Sequence, residues 1–423
     1  MKTVFTKLGL VLRDAGIRKR ILFTLGALGV FRLLAAIPIP GVDAARLQAF
    51  LANNDFFGLL NVFSGGGLSK LSIIMLGVGP YITGSIIMQL MTIMSPRLKA
   101  LYQEEGEIGR RKFSQYSRML TVPLAIIQGY SFLALLHNQG VIGDIGVFGY
   151  VLNISIITAG SLLIMWIGEL ISEFGIGNGV SIIIFAGIVA RLPVAVSQFA
   201  VIYDPAQIPM YLAILVGALL VILGVVIVTE AERPIPITYA KRVRGAKVYG
   251  GVSTYLPLRL NQAGVIPIIF ALSILLFPQM IFQFLVNVNV HIVQTVARAA
   301  LTFLGNPWYY SIFYFVLVFV FTYFYTAVTF DPNMIAENLQ KSGAFIPGVR
   351  PGVSTSQHVA RILTRLTLVG ASFLGIIAVL PLAMRAITGI TTFAIGGTAL
   401  LIVVSVVIDI IKKVDAQVSI REY

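Results

Sequence analysis

Residues 57–94 read FGLLNVFSGGGLSKLSIIMLGVGPYITGSIIMQLMTIM, and no single regular element can hold them. From Phe57 to Leu71 the stretch is short and amphipathic, with Phe57, Leu60 and Phe63 or Ser64 at helical spacing ahead of a Gly65-Gly66-Gly67 break. From Ser72 to Met94 it is apolar and long enough for a membrane crossing, which takes about 20 residues. A short apolar helical piece is stable at membrane depth only where protein or a water-filled cavity surrounds it. The two parts together place a hinged apolar segment inside something hollow. Periodicity alone fits an interfacial helix leading into an ordinary span equally well.

Composition fixes the class. Of 423 residues, 57% are apolar and only 11% charged, and apolar runs of spanning length recur along the chain, as in a polytopic membrane protein. With no cysteine there are no disulfides, thiolate metal sites or cysteine nucleophiles. Six basic residues precede Ile21, as in a signal peptide. The apolar run that follows ends in IPIPGVD rather than a small-residue cleavage site, which predicts a retained first span.

Ten spans are predicted, near 21–38, 72–94, 119–138, 151–171, 179–200, 208–229, 263–285, 308–329, 366–386 and 390–411. Of the 31 Lys and Arg residues, 25 fall in the N-terminal segment, the second, sixth and eighth connections and the tail. The positive-inside rule then puts both termini in the cytoplasm. The net charge of +14 thereby acquires a place: the cytoplasmic connections at 95–118, 230–262 and 330–365 are long, basic and turn-rich. Orientation and anionic lipid account for basicity but not for length, and long loops in compact membrane proteins tend to be functional. AFIPGVRPGV (344–353) presents Arg350 between two Pro-Gly pairs, on a stiff turn suited to docking a large acidic or nucleic-acid partner such as a ribosome.

The ten spans divide into two sets of five joined by YDPAQIP (203–209). The second span of each set carries a related motif, GVGPYI (77–82) and GVIPII (264–269), and an odd number of spans inverts the second copy. Inverted repeats place a functional site where the halves meet. No Lys, Asp or Glu lies mid-span; Glu169 and Asp409 fall near cytoplasmic ends and Arg32 near an outer one. Ion-coupled transporters and intramembrane hydrolases need ionisable or nucleophilic groups at depth. His137, His291 and His358 are not spaced as metal ligands, and neither GVGPYITG nor GIGNG (175–179) is a nucleotide loop. Close helix packing or a flexible turn explains both glycine clusters. If this chain drives transport, the energy comes from elsewhere.

IPIPG (37–41), FSGG (63–66), PYITGSIIMQL (80–90), EFGIGNGVSIIIFAGIVA (173–190), AGVIPIIFA (263–271), KSGAFIPGVRPG (341–352) and GGTALLIVV (396–404) resemble, in order and at matching spacing, the SecY family. These proteins are the channel subunits of bacterial protein-conducting translocons. The resemblance, running from Arg20 to Asp409, implies an all-α polytopic membrane protein. Its ten transmembrane helices would form a clamshell of two inverted five-helix halves, 1–203 and 204–423, with a short re-entrant plug helix.

It also implies roles for residues. The segment 57–71, with Phe57, Leu60, Phe63, Ser64, Gly65, Gly66 and Gly67, matches the plug. Val78, Ile82, Val180, Ile184, Ile269 and Ile402 match the apolar pore ring, slightly widened by its two valines. Thr83, Gln89 and Phe277 match the lateral gate; Lys241, Arg242, Arg244, Lys247 and Arg350 match the docking loops for a motor or ribosome. The implied partners are SecE, SecG, the ATPase SecA, the ribosome, unfolded polypeptides bearing signal sequences, and membrane lipids, with no cofactor and no enzymatic activity. The implied function is a channel in a bacterial cytoplasmic membrane that passes secretory chains and releases hydrophobic segments into lipid. An ion-coupled small-molecule transporter built on inverted repeats is the alternative, and a membrane enzyme a more distant one.

Overall fold

The computed structural model describes residues 14–40, 64, 66–138, 140–143, 145–190, 193, 208–239, 242–244, 247–249, 253–286, 288, 290–388 and 392–422. The chain enters on α1 (Ala15–Leu34), whose first turn is capped by Asp14 Oδ1 accepting from the Gly16 and Ile17 N–H groups at 2.6 and 3.0 Å. Beyond α1 the IPIPG motif runs extended. Ile37 C=O accepts from Ile73 N–H at 2.9 Å and Ile39 N–H donates to Leu71 C=O at 2.8 Å. Pro38 and Pro40, which have no N–H to offer, occupy the alternate positions, so the Ile-Pro alternation suits a single-sided bridge.

The second predicted span is not helical throughout. Residues 71–78 run as turns, with Ser72 bridged to Pro38, and the helix proper, α2 (Gly79–Met94), starts only after Gly77 takes a φ of +55°. Pro80 suits the first turn of a helix but not its interior, which sets the same boundary. The turn segment is nevertheless core: Ile74, Met75 and Val78 are all fully buried.

The connection at 95–118, expected to be turn-rich, is mostly helical. It holds α3 (Pro96–Gln103) and the first part of α4 (Gly106–Asn138), which extends well beyond the predicted span 119–138. The two cross at Gly109, where a Cβ would overlap the Leu101 carbonyl oxygen, and Tyr102 and Phe113 bring their rings to 4.8 Å. There follow α5 (Gly146–Phe174), α6 (Gly179–Val189) and α7 (Ile208–Glu230).

A β-ribbon then interrupts the helices. β1 (Glu232–Tyr239) pairs antiparallel with β4 (Ser253–Arg259), while β2 (Arg242–Arg244) pairs with β3 (Lys247–Tyr249). After it come α8 (Ile266–Leu285), the amphipathic α9 (His291–Gly305), α10 (Pro307–Thr329), α11 (Pro332–Lys341), β5 (Ala344–Phe345), α12 (Val353–Thr388) and α13 (Thr392–Glu422). β5 adds to β1, giving the sheet order β4-β1-β5. The all-α expectation thus holds for the spans but misses these strands. β1 and β4 carry Pro234, Pro236 and Pro257, which argue against a strand in sequence yet are exposed in this narrow ribbon.

Among the described residues, four stretches are long and apolar enough to cross a membrane by length and composition: Gly106–His137, Gly146–Phe174, Pro307–Lys341 and Val353–Leu380. α1, α2, α4, α5 and α6 pack as one set, and α7, α8, α10, α12 and α13 as another. The sets meet where α8 lies against α2 and α4 and where α13 lies against α6. Ile17 of α1, Ile176 of the α5–α6 corner and Val418 of α13 share one small cluster, so the start of α1 and the end of α13 lie on the same side.

Candidate pore, gate and docking surface

The α5–α6 corner explains how one wall of the candidate pore is set. Gly175 ends α5, Gly177 takes a φ of +87°, and Asn178 caps α6 by accepting from Val180 and Ser181 N–H. Ser172 Oγ accepts from Gly179 N–H at 2.8 Å. GIGNG is therefore a tight helix–helix corner, the close-packing role expected from sequence, and it delivers Val180 and Ile184 toward the centre.

α2 and the turn before it bring Val78 and Ile82. α8 brings Ile269 and α13 brings Ile402. Val78, Ile82, Ile184, Ile269 and Ile402 are buried members of one hydrophobic cluster, and half-buried Val180 packs against it. All six positions matched to the ring thus lie in or against one apolar cluster that runs through both sets of helices. Each side chain is aliphatic, with no polar atom to hold an ion or a solute. Val265, which stands in GVIPII where Val78 stands in GVGPYI, is buried in the same cluster and escaped the sequence reading.

Of the candidate plug, Phe57, Leu60, Phe63 and Gly65 lie outside the described residues. Ser64 is buried, and its Oγ accepts from Leu68 N–H at 3.1 Å. Leu68–Lys70 form a single 3-10 turn rather than an α-helix. Gly66 has a φ of +87°, and a Cβ on Gly67 would come within 2.7 Å of Ser72 Oγ. Both features account for glycines at the end of the segment. Leu68 and Leu71 are fully buried beside Phe132, Leu133 and Leu136 of α4. Arg32, unassigned in the sequence reading, reaches this region. One of its nitrogens donates to Ala186 C=O at 3.3 Å, and another would lie 3.6 Å from a Cβ on Gly66.

At the candidate gate, α2 and α8 are in contact along the junction of the two sets. Thr83 is half-buried and donates to its own helix at Gly79 C=O, 3.0 Å away. Gln89 is half-buried too, and its Oε1 has no hydrogen-bond partner among the described residues. Phe277 belongs to α8, but its side chain is outside what the structure describes. Across the α4–α5 interface Arg118 pairs with Glu169, one of two acidic residues in α5's last turns.

The base of the β-ribbon and the Arg350 turn, which belong to two separate connections, form one unit. Thr238 and Tyr239 of β1 pair with Phe345 and Ala344 of β5. Ile235, Leu258, Ile346, Val359 and Leu363 form a shared apolar core under the ribbon, β5 and the start of α12. Arg350 is exposed on a turn whose Gly348 and Gly352 have φ of +81° and +95°. Its carbonyl is held by Thr355 Oγ1 at 2.9 Å. In the ribbon tip the register sets Arg244 opposite Lys247 and Arg242 opposite Tyr249, while Lys241 is outside the described residues. Sequence missed this joining because β5 is two residues long and pairs across a separation of about a hundred positions. Among the described residues no three His, Cys, Asp or Glu side chains group closely enough to hold a metal ion.

The SecY family model matches residues 72–411. This chain belongs to the SecY family. It is 40% identical over 444 residues to protein translocase subunit SecY of Mycobacterium bovis, covering 97% of each chain. It is 40% identical over 440 residues to the SecY of Streptomyces coelicolor, covering 100% of this chain and 99% of that one. In three dimensions it is similar to a solved protein-conducting channel at a TM-score of 0.65, with 19% identity over 96% of this chain and 93% of the other. SecY membership covers the corner, the two GVxP motifs and the Arg350 turn.

Proposed function

We propose that this chain is the channel subunit of a protein translocase in a bacterial cytoplasmic membrane, with both termini cytoplasmic. It passes unfolded secretory polypeptides and releases transmembrane segments sideways into lipid. Residues 1–203 and 204–423 are the two halves of the clamshell. Val78, Ile82, Val180, Ile184, Ile269 and Ile402 form the constriction between them. The observation that carries this reading is that those six aliphatic residues all lie in or against one apolar cluster shared by both sets of helices. An aliphatic constriction blocks ions by dewetting, and flexible side chains can close round a moving chain without binding its sequence.

Residues 57–71 seal the resting pore, and a signal sequence enters between α2 and α8, with Thr83, Gln89 and Phe277 lining its route. Opening there displaces few polar contacts, because Thr83 is satisfied within its own helix. The chain contributes no catalysis. The driving force comes from SecA or a translating ribosome, docked on Lys241, Arg242, Arg244, Lys247 and Arg350. Like charges facing each other across a β-ladder repel, so Arg244 opposite Lys247 is a poor arrangement alone and a good one under an acidic or polyanionic partner. SecE and SecG complete the complex in the membrane. An ion-coupled transporter finds less support, since this chain's relatives carry the name of a protein translocase and the six ring side chains offer no coordinating atom.

The test uses the absence of native cysteine. Single Ile82→Cys and Val180→Cys variants are crosslinked in membranes to an arrested secretory chain. Adducts from both positions to one chain are expected. Silence from both, with expression and topology intact, would remove the channel reading.

A further inference from the structure

Gly77 and Gly264 hold the same place in GVGPYI and GVIPII, and both adopt left-handed backbone, with φ of +55° and +62°. Two residues later α2 and α8 begin, each with proline as its second residue. Five residues after each glycine stands an isoleucine of the proposed ring, Ile82 or Ile269, and each of these is 7% exposed. The likeness of the two motifs is therefore one of backbone as well as of sequence.

Among the described residues neither glycine carbonyl is reached by a backbone N–H; each is served by one buried side chain. Ser161 Oγ, on α5, donates to Gly77 C=O at 3.0 Å, and Asn261 Nδ2 donates to Gly264 C=O at 3.1 Å. A third feature is repeated. A Cβ on Gly160 of α5 would overlap Ile73 O, and a Cβ on Gly370 of α12 would lie 2.6 Å from Leu260 O. Ile73 and Leu260 each stand four residues before their left-handed glycine. In both sets, then, a neighbouring helix crosses at a glycine the same carbonyl of the same turn.

The donor itself is not repeated. After Gly160 comes Ser161, but after Gly370 comes Ala371, fully buried and without a donor. Conversely, the first-set position matching Asn261 is Ile74, equally unable to donate. The carbonyl that needs a partner has stayed, while its partner has moved from the crossing helix to the local chain. That exchange makes sense if what matters is the pinned carbonyl and not the identity of the residue that pins it.

We infer that Ser161 and Asn261 are positioning residues of the channel, fixing the depth and rotation of α2 and α8 so that Ile82 and Ile269 meet in the closed seal. The inference rests on the pore-ring reading proposed above. Gly77 is buried and Gly264 half-buried, and a carbonyl held from water that loses its donor carries a desolvation penalty, relieved by turning toward water or another donor. Because each carbonyl lies two residues before a helix, that turn rotates the helix start and carries the isoleucine away from its partners.

The experiment is resting ionic conductance of the complete membrane complex, purified from its own host and recorded in planar bilayers. Ser161→Ala and Asn261→Leu are each expected to raise the leak severalfold, while Ser161→Thr, which keeps the hydroxyl, stays at the parent value. Adding Ala371→Ser to Asn261→Leu supplies a donor from the crossing helix, as in the first set, and is expected to lower the leak again. Parent-level conductance in both donor-less variants, equal leaks from the Ala and Thr variants of Ser161, or no effect of the added serine would each overturn the inference. If Ser161→Ala fails to accumulate, Ser161→Cys, a weak donor of similar size, replaces it, and a silent recording from it counts equally against the inference. The Ile82→Gly/Ile269→Gly double variant is recorded alongside. Its silence would reject the ring itself, whereas its leak with silent donor-less variants rejects only the positioning role.

Discussion

Gly179 is set so closely against the Gly168 carbonyl that any side-chain Cβ at Gly179 would overlap the oxygen. The α5–α6 corner has no slack to absorb a methyl group, because Ser172 also holds Gly179 N–H at 2.8 Å. Gly179→Ala is expected to destabilise the protein by about 1–3 kcal/mol, the usual range for overpacking. Gly217→Ala on α7, where a Cβ meets nothing within 4 Å, is the control and should be neutral or slightly stabilising. Thermal unfolding in detergent compares the two, and equal melting temperatures would contradict the corner geometry.

Ile82 and Ile269 reach the central cluster from opposite sets of helices. Replacing both with glycine deletes eight aliphatic carbons from the proposed seal. The expected result is a steady ion leak at rest, with polypeptide export retained, measured as bilayer conductance and as export in vesicles.

Arg350 is exposed at the tip of a turn whose shape depends on Gly348, Gly352 and the buried Ile346 rather than on its own side chain. Arg350→Glu should therefore leave expression and folding unchanged while abolishing motor-driven export. Export at the parent rate by this variant would remove the docking role.

Thr238 and Phe345 are paired across β1 and β5. In a chain without native cysteine, Thr238→Cys/Phe345→Cys should close a disulfide on mild oxidation, since paired residues of an antiparallel ladder have Cα atoms about 4.5–5.5 Å apart. A faster-migrating species on non-reducing gels is the readout. A pair shifted to Phe345→Cys with Ser253→Cys, on the outer strand β4, should not form it.

The transmembrane architecture was legible because it is written in long apolar runs and loop charge, signals that survive without tertiary information. α10, for example, ends at Thr329, where the apolar run ends. The ring residues were reached through resemblance to a family; their apolarity alone does not separate a pore from a core. What escaped were features set by contacts distant in sequence: the delayed start of α2, fixed by Gly77 and the Ser161 hydrogen bond, and the β1–β5 pairing, for which two residues carry no readable pattern. The helical course of residues 96–118 was hidden by charge, since Arg110, Arg111 and Lys112 read as loop but occupy the exposed face of α4.

The ribbon and α8 are joined by a short turn, residues 260–265, that is hydrogen-bonded at both ends. The ladder closes with Leu260 N–H donating to Ala231 C=O at 2.8 Å, and the very next residue is Asn261, which holds the Gly264 carbonyl. In mechanical terms the ribbon is a crank with its shaft at Asn261. A load applied at Arg350 is carried in shear through β5 and β1 to β4, and β4 ends two residues short of the asparagine. Force on the exposed Arg350 turn is thereby led to Asn261 and on into the turn that opens α8.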